Sequence, residues 1–442
     1  MRIPQRPPDW KTVLTKMKPD QYPAIWKAVS EPPFRGKYLH WDELRHLRVP
    51  DGLSHGELWA GLKGQRLGLR KAIPLRDIHG QRFTYILPDP IPEQLHVIDR
   101  GAGGTLELPE QITNADTRDR YVVHSLIEEA ITSSQLEGAV TTRRVAETML
   151  REGRPPRDRD EQMIMNNYQT MQRIRSLKAE RLTPDIIFEL HRLVTEGTLD
   201  DPSGAGRLRR ESEPVDVADQ YGEVFHVPPP AHELDERLEA MCRFANDGSK
   251  QEFIHPVIRS IALHFWLAYD HPFIDGNGRC ARALFYWSML HHGFWLCEFI
   301  SISRVILKAR SAYYTAFLHT ESDENDLTYF LLYHVQVLQT AVDQLHKYIK
   351  AKVDELRQLE HELRGLEALN HRQRAIISHA LRHPNHRYTI ESHRNSHSVV
   401  YQTARTDLLD LVRRGLLRAY KIGKTWQFQP ESDLAEKLAR RR

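Results

Sequence analysis

The chain has 442 residues, of which 40% are hydrophobic and 27% are charged, and its net charge at pH 7 is +3. This length predicts about two to four domains, and the composition is typical of a soluble globular protein. No run of about 18 apolar residues occurs, so we expect no membrane span. The first residues also lack the apolar core of a signal peptide. The three cysteines are widely spaced and form no CxxC pair, which argues against a disulfide framework or a zinc site and fits a reducing cytoplasm.

Residues 1–112 are rich in proline, tryptophan and charge, and they predict a small mixed domain. The stretch from Gln81 to Leu87 alternates in polarity, which predicts a strand after a His79-Gly80 turn. No motif in this region indicates a function.

Residues 113–340 show the three- and four-residue apolar spacing of amphipathic helices. Pro184 after Thr183 is typical of a helix start. The predicted helices are Tyr121–Ser134, Arg143–Leu150, Glu161–Leu177, Thr183–Thr195, Glu233–Asn246, Pro256–Tyr269 and one after Gly278. The expected fold is therefore mainly α, with an all-α central domain.

The C-terminal part predicts a long helix and then a basic module. Apolar residues recur at helical steps through 341–366, as in an amphipathic helix that packs on its own core or forms a homodimer. Residues 366–430 carry 11 Lys and Arg against 4 Asp and Glu, a local net charge of +7. Three helices followed by two strand-like runs predict a winged helix-turn-helix over 367–442.

The recognition helix of this winged helix is predicted at Ser398–Arg414 and ends at Gly415. The residues predicted to contact duplex DNA are Tyr401, Gln402 and Arg405 on the helix and Lys421 and Lys424 on the wing. Winged helices also serve as protein-interaction or dimer modules, so both interpretations stay open.

One segment, HPFIDGNGRCAR at 271–282, gathers several reactive groups. Its Gly-Asn-Gly turn precedes a helix, where backbone N–H groups and the helix dipole attract anions. Arg279 and Arg282 lie three residues apart, and two guanidinium groups suit a polyphosphate. Asp275 offers the oxygen ligand that Mg²⁺ prefers, and an imidazole such as that of His271 can remove a hydroxyl proton.

This segment resembles the Fic motif, HxFx(D/E)GNGRxxR. Every fixed position is present, as His271, Phe273, Asp275, Gly276, Asn277, Gly278, Arg279 and Arg282. The resemblance covers about residues 117–340 and implies the Fic helical fold and a protein adenylyltransferase. Such an enzyme uses ATP and Mg²⁺ to modify a target protein or itself. In this family His271 would be the base and Asp275 the metal ligand. The implied phosphate contacts are Gly276, Asn277, Gly278, Arg279 and Arg282.

A second segment, from Ser133 to Glu137 and Gly138, resembles the inhibitory motif (S/T)xxxE(G/N) of the same family. It implies that Glu137 reaches into the anion site and pairs with Arg282, which leaves ATP in an unreactive pose. In some members of the family the same glutamate positions a water that removes AMP.

Residues 203–209 and 224–230 resemble the flap region of the family. The flap itself, at about 214–230, is predicted as a β-hairpin, which either pairs with a target segment as an added strand or is an ordinary hairpin over the core. Tyr313 or Tyr314 is expected to line the adenine pocket or to lie in the core. Three functions stay open: an adenylyltransferase restrained by Glu137, a DNA-binding regulator that carries a Fic unit, and a Glu137-dependent AMP-removing enzyme. A donor such as CMP-choline or UTP is a further alternative, because the motif contacts phosphates rather than the base.

Overall fold

The computed structural model describes residues 3–32, 34–103, 115–218, 222–246, 253–363, 369–383, 386–397, 399–422 and 425–439. The chain divides into two compact units, Met1–Leu345 and His346–Arg442. The predicted mainly α fold is confirmed. The predicted domain limits at 112–113 and 366–367 lie outside the described residues. None of the described helices is both long and apolar enough to cross a bilayer.

The N-terminal part of the first unit contains short helices and one hairpin. Its elements are α1 (Trp10–Lys16), α2 (Tyr22–Ser30), α3 (Trp41–Leu44), α4 (His55–Leu67), β1 (Lys71–Arg76), β2 (Arg82–Tyr85) and α5 (Pro90–Ile98). The strand predicted at Gln81–Leu87 is thus shorter, and it pairs antiparallel with β1. Sequence reasoning missed β1 because Pro74 interrupts its pattern, and proline normally argues against a strand interior.

This N-terminal part is fastened to a turn at residues 323–327. The buried Lys63 ammonium lies 2.6 Å from the Asp323 carboxylate, and the backbone N–H of Leu327 donates to the Thr84 carbonyl at 2.8 Å. A buried charge is tolerated when it is paired in this way. Residues 3–103 therefore pack as part of the first unit.

Ten further helices follow in the described part of the chain. The last of them begins in the first unit and ends in the second. They are α6 (Ala115–Leu136), α7 (Arg143–Glu152), α8 (Arg159–Leu177), α9 (Pro184–Thr195), α10 (Leu234–Asn246), α11 (Pro256–Asp270), α12 (Asn277–His291), α13 (Ile302–Lys308), α14 (Arg310–Ser322) and α15 (Thr328–Leu363). Thr183 caps α9 as predicted, since its hydroxyl accepts from the backbone N–H of Ile186 at 3.3 Å. The helix predicted over 341–366 begins much earlier, at Thr328, because buried residues such as Phe330 and Val335 continue its apolar stripe.

The centre of the first unit is the pair α11 and α12. Both helices are apolar on nearly every side and almost fully buried, as expected for helices without a polar face. Ser260 on α11 donates to Ser288 on α12 at 2.8 Å. The loop that joins them is residues 271–276, so the motif lies at one end of this buried helix pair.

Helix α6 is held against this centre by a buried carboxylate. Glu129 accepts hydrogen bonds from the Tyr286 hydroxyl of α12 at 2.9 Å and from the Ser301 hydroxyl at 2.7 Å. The hydroxyl and N–H of Ser303 also donate to it. A buried charge with so many partners fixes its helix, and α6 ends one residue before Glu137.

The predicted flap is a short antiparallel hairpin of β3 (Val217–Ala218) and β4 (Val224–His226). Its hairpin form is confirmed, and the turn residues 219–221 lie outside the described residues. The strands are shorter than the predicted 214–230 segment because prolines at 214 and 228–230 cannot donate to a strand ladder.

The second unit contains the predicted order of helices followed by a hairpin. Its elements are α16 (His371–Arg382), β5 (Tyr388–Thr389), α17 (Ile390–His397), α18 (Tyr401–Arg413), β6 (Leu417–Ile422), β7 (Thr425–Pro430) and α19 (Leu434–Ala439). The sheet order is β5-β7-β6, and Leu408, Leu411 and Phe428 are fully buried between helices and sheet. Helix α18 starts later than the predicted Ser398, which lies outside the described residues.

Candidate active site

The loop between α11 and α12 begins and ends with left-handed backbone conformations. His271 caps α11 with φ 44° and ψ 55°, and its N–H donates to the Leu267 carbonyl at 3.0 Å. Gly276, with φ 84°, precedes the first turn of α12. A β-carbon at Gly276 would also press on the Thr195 methyl group at 2.8 Å. A non-glycine residue such as His271 keeps this conformation only when its surroundings enforce it.

Two side chains fasten the middle of this loop. Asn277 accepts from the N–H of Phe273 at 2.9 Å and donates to its carbonyl at 2.8 Å. His191 stacks on the Phe273 ring, with centroids 3.8 Å apart, and its Nε2 lies 2.9 Å from the Asp275 carbonyl. The Gly206 N–H donates to Nδ1 of His191, so Nε2 carries the proton and donates to that carbonyl. The loop is therefore bound to α9 as well as to α12.

Arg209 fixes the backbone of the histidine itself. Its guanidinium Nε donates to the His271 carbonyl at 3.0 Å, and its backbone N–H donates to the Pro272 carbonyl at 2.9 Å. The same guanidinium donates to the Pro229 carbonyl beside the flap. This residue thus enforces the left-handed conformation of His271 and links it to the flap.

The imidazole of His271 is held in one tautomer. Its Nδ1 lies 3.3 Å from the Ala268 carbonyl, and a carbonyl can only accept, so Nδ1 carries the proton and Nε2 keeps its lone pair. Burial, followed by the nearby His226 ring, lowers the pKa of His271 to about 4. The ring is therefore neutral near pH 7, as a proton acceptor requires.

The first turn of α12 holds the Glu137 carboxylate. A β-carbon on Gly278 would collide with Oε1 of Glu137, and the same oxygen accepts from Nη2 of Arg282 at 2.8 Å. Arg282 is buried and also donates through Nε to the Ser133 hydroxyl at 2.8 Å. Gly138, with φ 99°, lets the chain turn away directly after Glu137. An anionic group thus occupies the positive end of a helix and pairs with a buried cation.

A cavity of about 180 Å³ opens beside this site. It is lined by Glu137, Gly278 and His271, by the flap residues Val217, Phe225 and His226, by Ala268 and Tyr269 of α11, and by Tyr313, Tyr314, Phe317, Leu318 and Glu321 of α14. Its wall is mostly apolar and aromatic, with a small number of charged groups. Such a cavity suits a flat organic ring joined to an anionic group.

The sequence profile of the Fic/DOC family matches residues 181–289, which include α9, the flap and the motif loop. The chain contains a Fic domain. It is 38% identical over 120 residues to "Protein adenylyltransferase Fic" from Nematostella vectensis, which covers 26% of this chain and 25% of that protein. It is 30% identical over 183 residues to "Protein adenylyltransferase fic-1" from Caenorhabditis elegans, which covers 41% of this chain and 32% of that protein. The chain therefore spans about a quarter to a third of these curated relatives.

The fold agrees with a solved structure. A Fic family protein from Desulfovibrio desulfuricans G20 superposes with a TM-score of 0.51 at 19% identity, over 77% of this chain and 94% of that one. This similarity supports the fold of the Fic domain.

The predicted site residues of the Fic domain lie around one loop, but Arg279 differs from the expected clamp. Its guanidinium is buried, donates to the Val194 carbonyl at 2.9 Å and lies 3.5 Å from the Asp275 carboxylate. The three-residue spacing put Arg279 on one helix face with Arg282, and tertiary packing encloses both side chains. Asp275 leaves 46% of its side chain exposed, and its Oδ1 accepts from the Gly276 N–H.

Sequence reasoning missed four residues of this site. They are His191, Arg209, His226 and Glu321. Each is distant in sequence from the residue that it contacts, and none belongs to a short motif that would mark it. For Arg209 and His226, the only available signal was their place in the segments that resemble the family's flap region.

In the second unit, the residues predicted to contact DNA are accessible where they are described. Tyr401, Gln402 and Arg405 are exposed on α18, and Lys421 is exposed on β6. Lys424 lies outside the described residues. The contact with DNA stays a prediction.

Proposed function

We propose that this chain transfers AMP from ATP to a hydroxyl group of a target protein, which can be a second copy of itself, and that Glu137 restrains the reaction. The observation that carries the proposal is the Glu137 carboxylate bonded to Arg282 over Gly278, on the same cavity as His271. The two relatives are both named protein adenylyltransferases, which supports the reaction class.

In the proposed reaction His271 is the catalytic base. Its free Nε2 takes the proton of the target hydroxyl, the hydroxyl oxygen forms a bond to the α-phosphorus, and the bond from that phosphorus to the pyrophosphate oxygen breaks. The leaving group is pyrophosphate. Arg209 holds the backbone of His271 in place, and the N–H groups at the start of α12 stabilise phosphate oxygens.

The Asp275 carboxylate fits a role in holding Mg²⁺. It is half-exposed and lies beside the first turn of α12. No cluster of three or more metal-binding side chains occurs among the described residues, which agrees with Mg²⁺ sites that use one or two carboxylates, substrate phosphates and water. When bound, the metal would neutralise phosphate charge.

Glu137 restrains this reaction by occupying the place of an anion. While its carboxylate pairs with Arg282, that guanidinium is unavailable to the terminal phosphate of ATP, and like charges repel the triphosphate. The alternative, removal of AMP by a water that Glu137 positions, uses the same carboxylate and the same cavity. Transfer is favoured because Glu137 is bonded to the cation that the donor needs.

The position of a label in ATP distinguishes the reaction class. Glu137→Gly and Glu137→Gly/His271→Ala would be incubated with Mg²⁺ and with ATP labelled at either the α- or the γ-phosphorus. Label in protein from the α-position only, and only with His271 present, is expected. Incorporation from the γ-position would indicate phosphoryl transfer and contradict the proposal. Replacement of ATP by UTP or CMP-choline tests the other donors.

A second candidate function is binding of duplex DNA through the second unit. Residues 366–430 have a net charge of +7, and Tyr401 and Arg405 are exposed near the start of α18 while Lys421 is exposed on β6. This arrangement suits a recognition helix and a wing. Titration of labelled duplex at increasing salt tests it. Binding that weakens steeply with salt supports it, and salt-independent or absent binding leaves a protein-interaction or homodimer module.

A further inference from the structure

The wall of the cavity on α14 changes from apolar to charged along the helix. Tyr313, Tyr314, Phe317, Leu318 and Glu321 follow one another at three- and four-residue steps, so they form one face, and all five line the cavity. A rise of about 1.5 Å per residue puts Glu321 about 10 Å along the axis from Tyr314. A carboxylate thus lies about two turns beyond Tyr314 and one turn beyond Phe317.

One oxygen of this carboxylate is already bound, and the other is not. Oε2 of Glu321 lies 2.7 Å from Nδ1 of His226 on the flap, and Nε2 of His226 lies 2.7 Å from the Tyr269 carbonyl. In the part of the chain that the structure describes, Oε1 of Glu321 accepts no hydrogen bond. Glu321 therefore presents one free acceptor oxygen to the cavity.

His226 is positively charged where it contacts Glu321. A carboxylate and a carbonyl both only accept, so the two nitrogens of His226 both donate when both contacts are made, and the ring is an imidazolium. Burial opposes this charge, but the Glu321 carboxylate and the Tyr269 carbonyl raise the pKa of His226 above its ordinary value. The side chain of Glu321 is 23% exposed, enough to meet a ligand.

We propose that Glu321 is a specificity-determining residue, whose free carboxylate oxygen selects nucleotides with an exocyclic amino group on the base. The inference rests on the proposed nucleotide transfer, in which phosphates lie at Gly278 and Arg282 and the base lies along the aromatic residues of α14. An amino group, as on adenine or cytosine, donates to the carboxylate. An oxo group at the same position, as on hypoxanthine or uracil, brings two acceptors together and leaves both unpaired.

Pairs of nucleotides that differ only in this group test the inference. The dissociation constants of ATP and inosine triphosphate, and of CTP and UTP, would be measured by calorimetry with Glu137→Gly and with Glu137→Gly/Glu321→Gln. Each pair shares the triphosphate, so the ratio within a pair reports the base alone. The glutamine is isosteric and replaces the free acceptor oxygen by a donor NH2 group, so it changes only the hydrogen-bonding character of this position.

Glu137→Gly should bind ATP at least about tenfold more tightly than inosine triphosphate, because a site built around one hydrogen bond rejects the analogue that lacks it. The Glu321→Gln change should abolish or reverse this preference, since His226 donates to the amide oxygen and the free NH2 group pairs with an oxo group rather than with an amino group. Equal binding of ATP and inosine triphosphate by Glu137→Gly overturns the inference and leaves the transferase proposal intact. An unchanged ratio after Glu321→Gln also overturns it. Absence of binding by all four nucleotides contradicts the nucleotide site itself.

Discussion

The carboxylate of Glu137 lies 2.8 Å from the guanidinium of Arg282, although 145 residues separate them in the chain. The Arg282 side chain is 2% exposed and that of Glu137 is 30% exposed. A charge-assisted hydrogen bond of this kind is stronger than one between neutral groups. The same oxygen lies over Gly278. The Glu137 carboxylate therefore covers the first turn of α12 and also occupies the Arg282 guanidinium.

The first prediction concerns the affinity for phosphate. Glu137→Gly should tighten ATP binding by about tenfold or more while changing AMP binding little, because only the triphosphate reaches the freed Arg282. Calorimetry with both nucleotides measures this difference. Glu137→Asp, which shortens the side chain but keeps the charge, is the matched control. A gain of equal size for AMP and ATP would contradict the proposed contact.

The second prediction concerns the end of α6. The guanidinium of Arg310 donates to the Leu136 carbonyl at 2.6 Å and so holds the residue before Glu137. Arg310→Ala should loosen Glu137 and raise AMP transfer several-fold, less than Glu137→Gly does. In the Glu137→Gly background the same change should have no activating effect, and activation there would show that Arg310 acts by another route. Incorporation of labelled AMP measures both.

The third prediction concerns His191, which no motif marked. His191→Ala removes the stacking on Phe273 and the donor to the Asp275 carbonyl, so the loop should lose its fixed position. In the Glu137→Gly background we expect kcat to fall about a hundredfold, as for a misplaced reacting group. The free energy of unfolding should fall by about 1–3 kcal/mol, because a partly buried carbonyl loses its partner. An unchanged kcat would show that the loop does not depend on this contact.

Sequence alone was sufficient for most helices between residues 121 and 291 and for the motif loop, because both are encoded by neighbouring residues. It did not predict the helices α1–α5 and α13. The cap at Thr183 and the turn at Gly276 follow from local geometry, and the pairing of Glu137 with Arg282 followed from family resemblance. Contacts such as that of Arg209 with the His271 carbonyl join segments that are distant in the chain, so they produce no recognisable pattern in the sequence. The burial of Arg279 also could not be predicted, because its three-residue spacing from Arg282 does not indicate how other helices pack around it.

The fourth prediction concerns pH. Burial lowers the pKa of His271 to about 4, so its neutral form dominates above that value and is lost as the pH falls through it. In the Glu137→Gly variant, the titration of His271 should therefore cause almost no change in kcat/KM between pH 6 and pH 8. The pH dependence of initial rates measures it. An acid limb centred near the ordinary histidine value of about 6.5 would contradict the buried, neutral base.

The central claim, AMP transfer by His271 under restraint by Glu137, is tested most directly by one measurement of intact mass. Wild type, Glu137→Gly and Glu137→Gly/His271→Ala would each be incubated with Mg²⁺ and ATP, with and without a cell extract as a source of target proteins. The account predicts added AMP with Glu137→Gly, little with wild type and none with the double variant. Equal modification by wild type and Glu137→Gly would contradict the restraint, and modification by the double variant would contradict the role of His271.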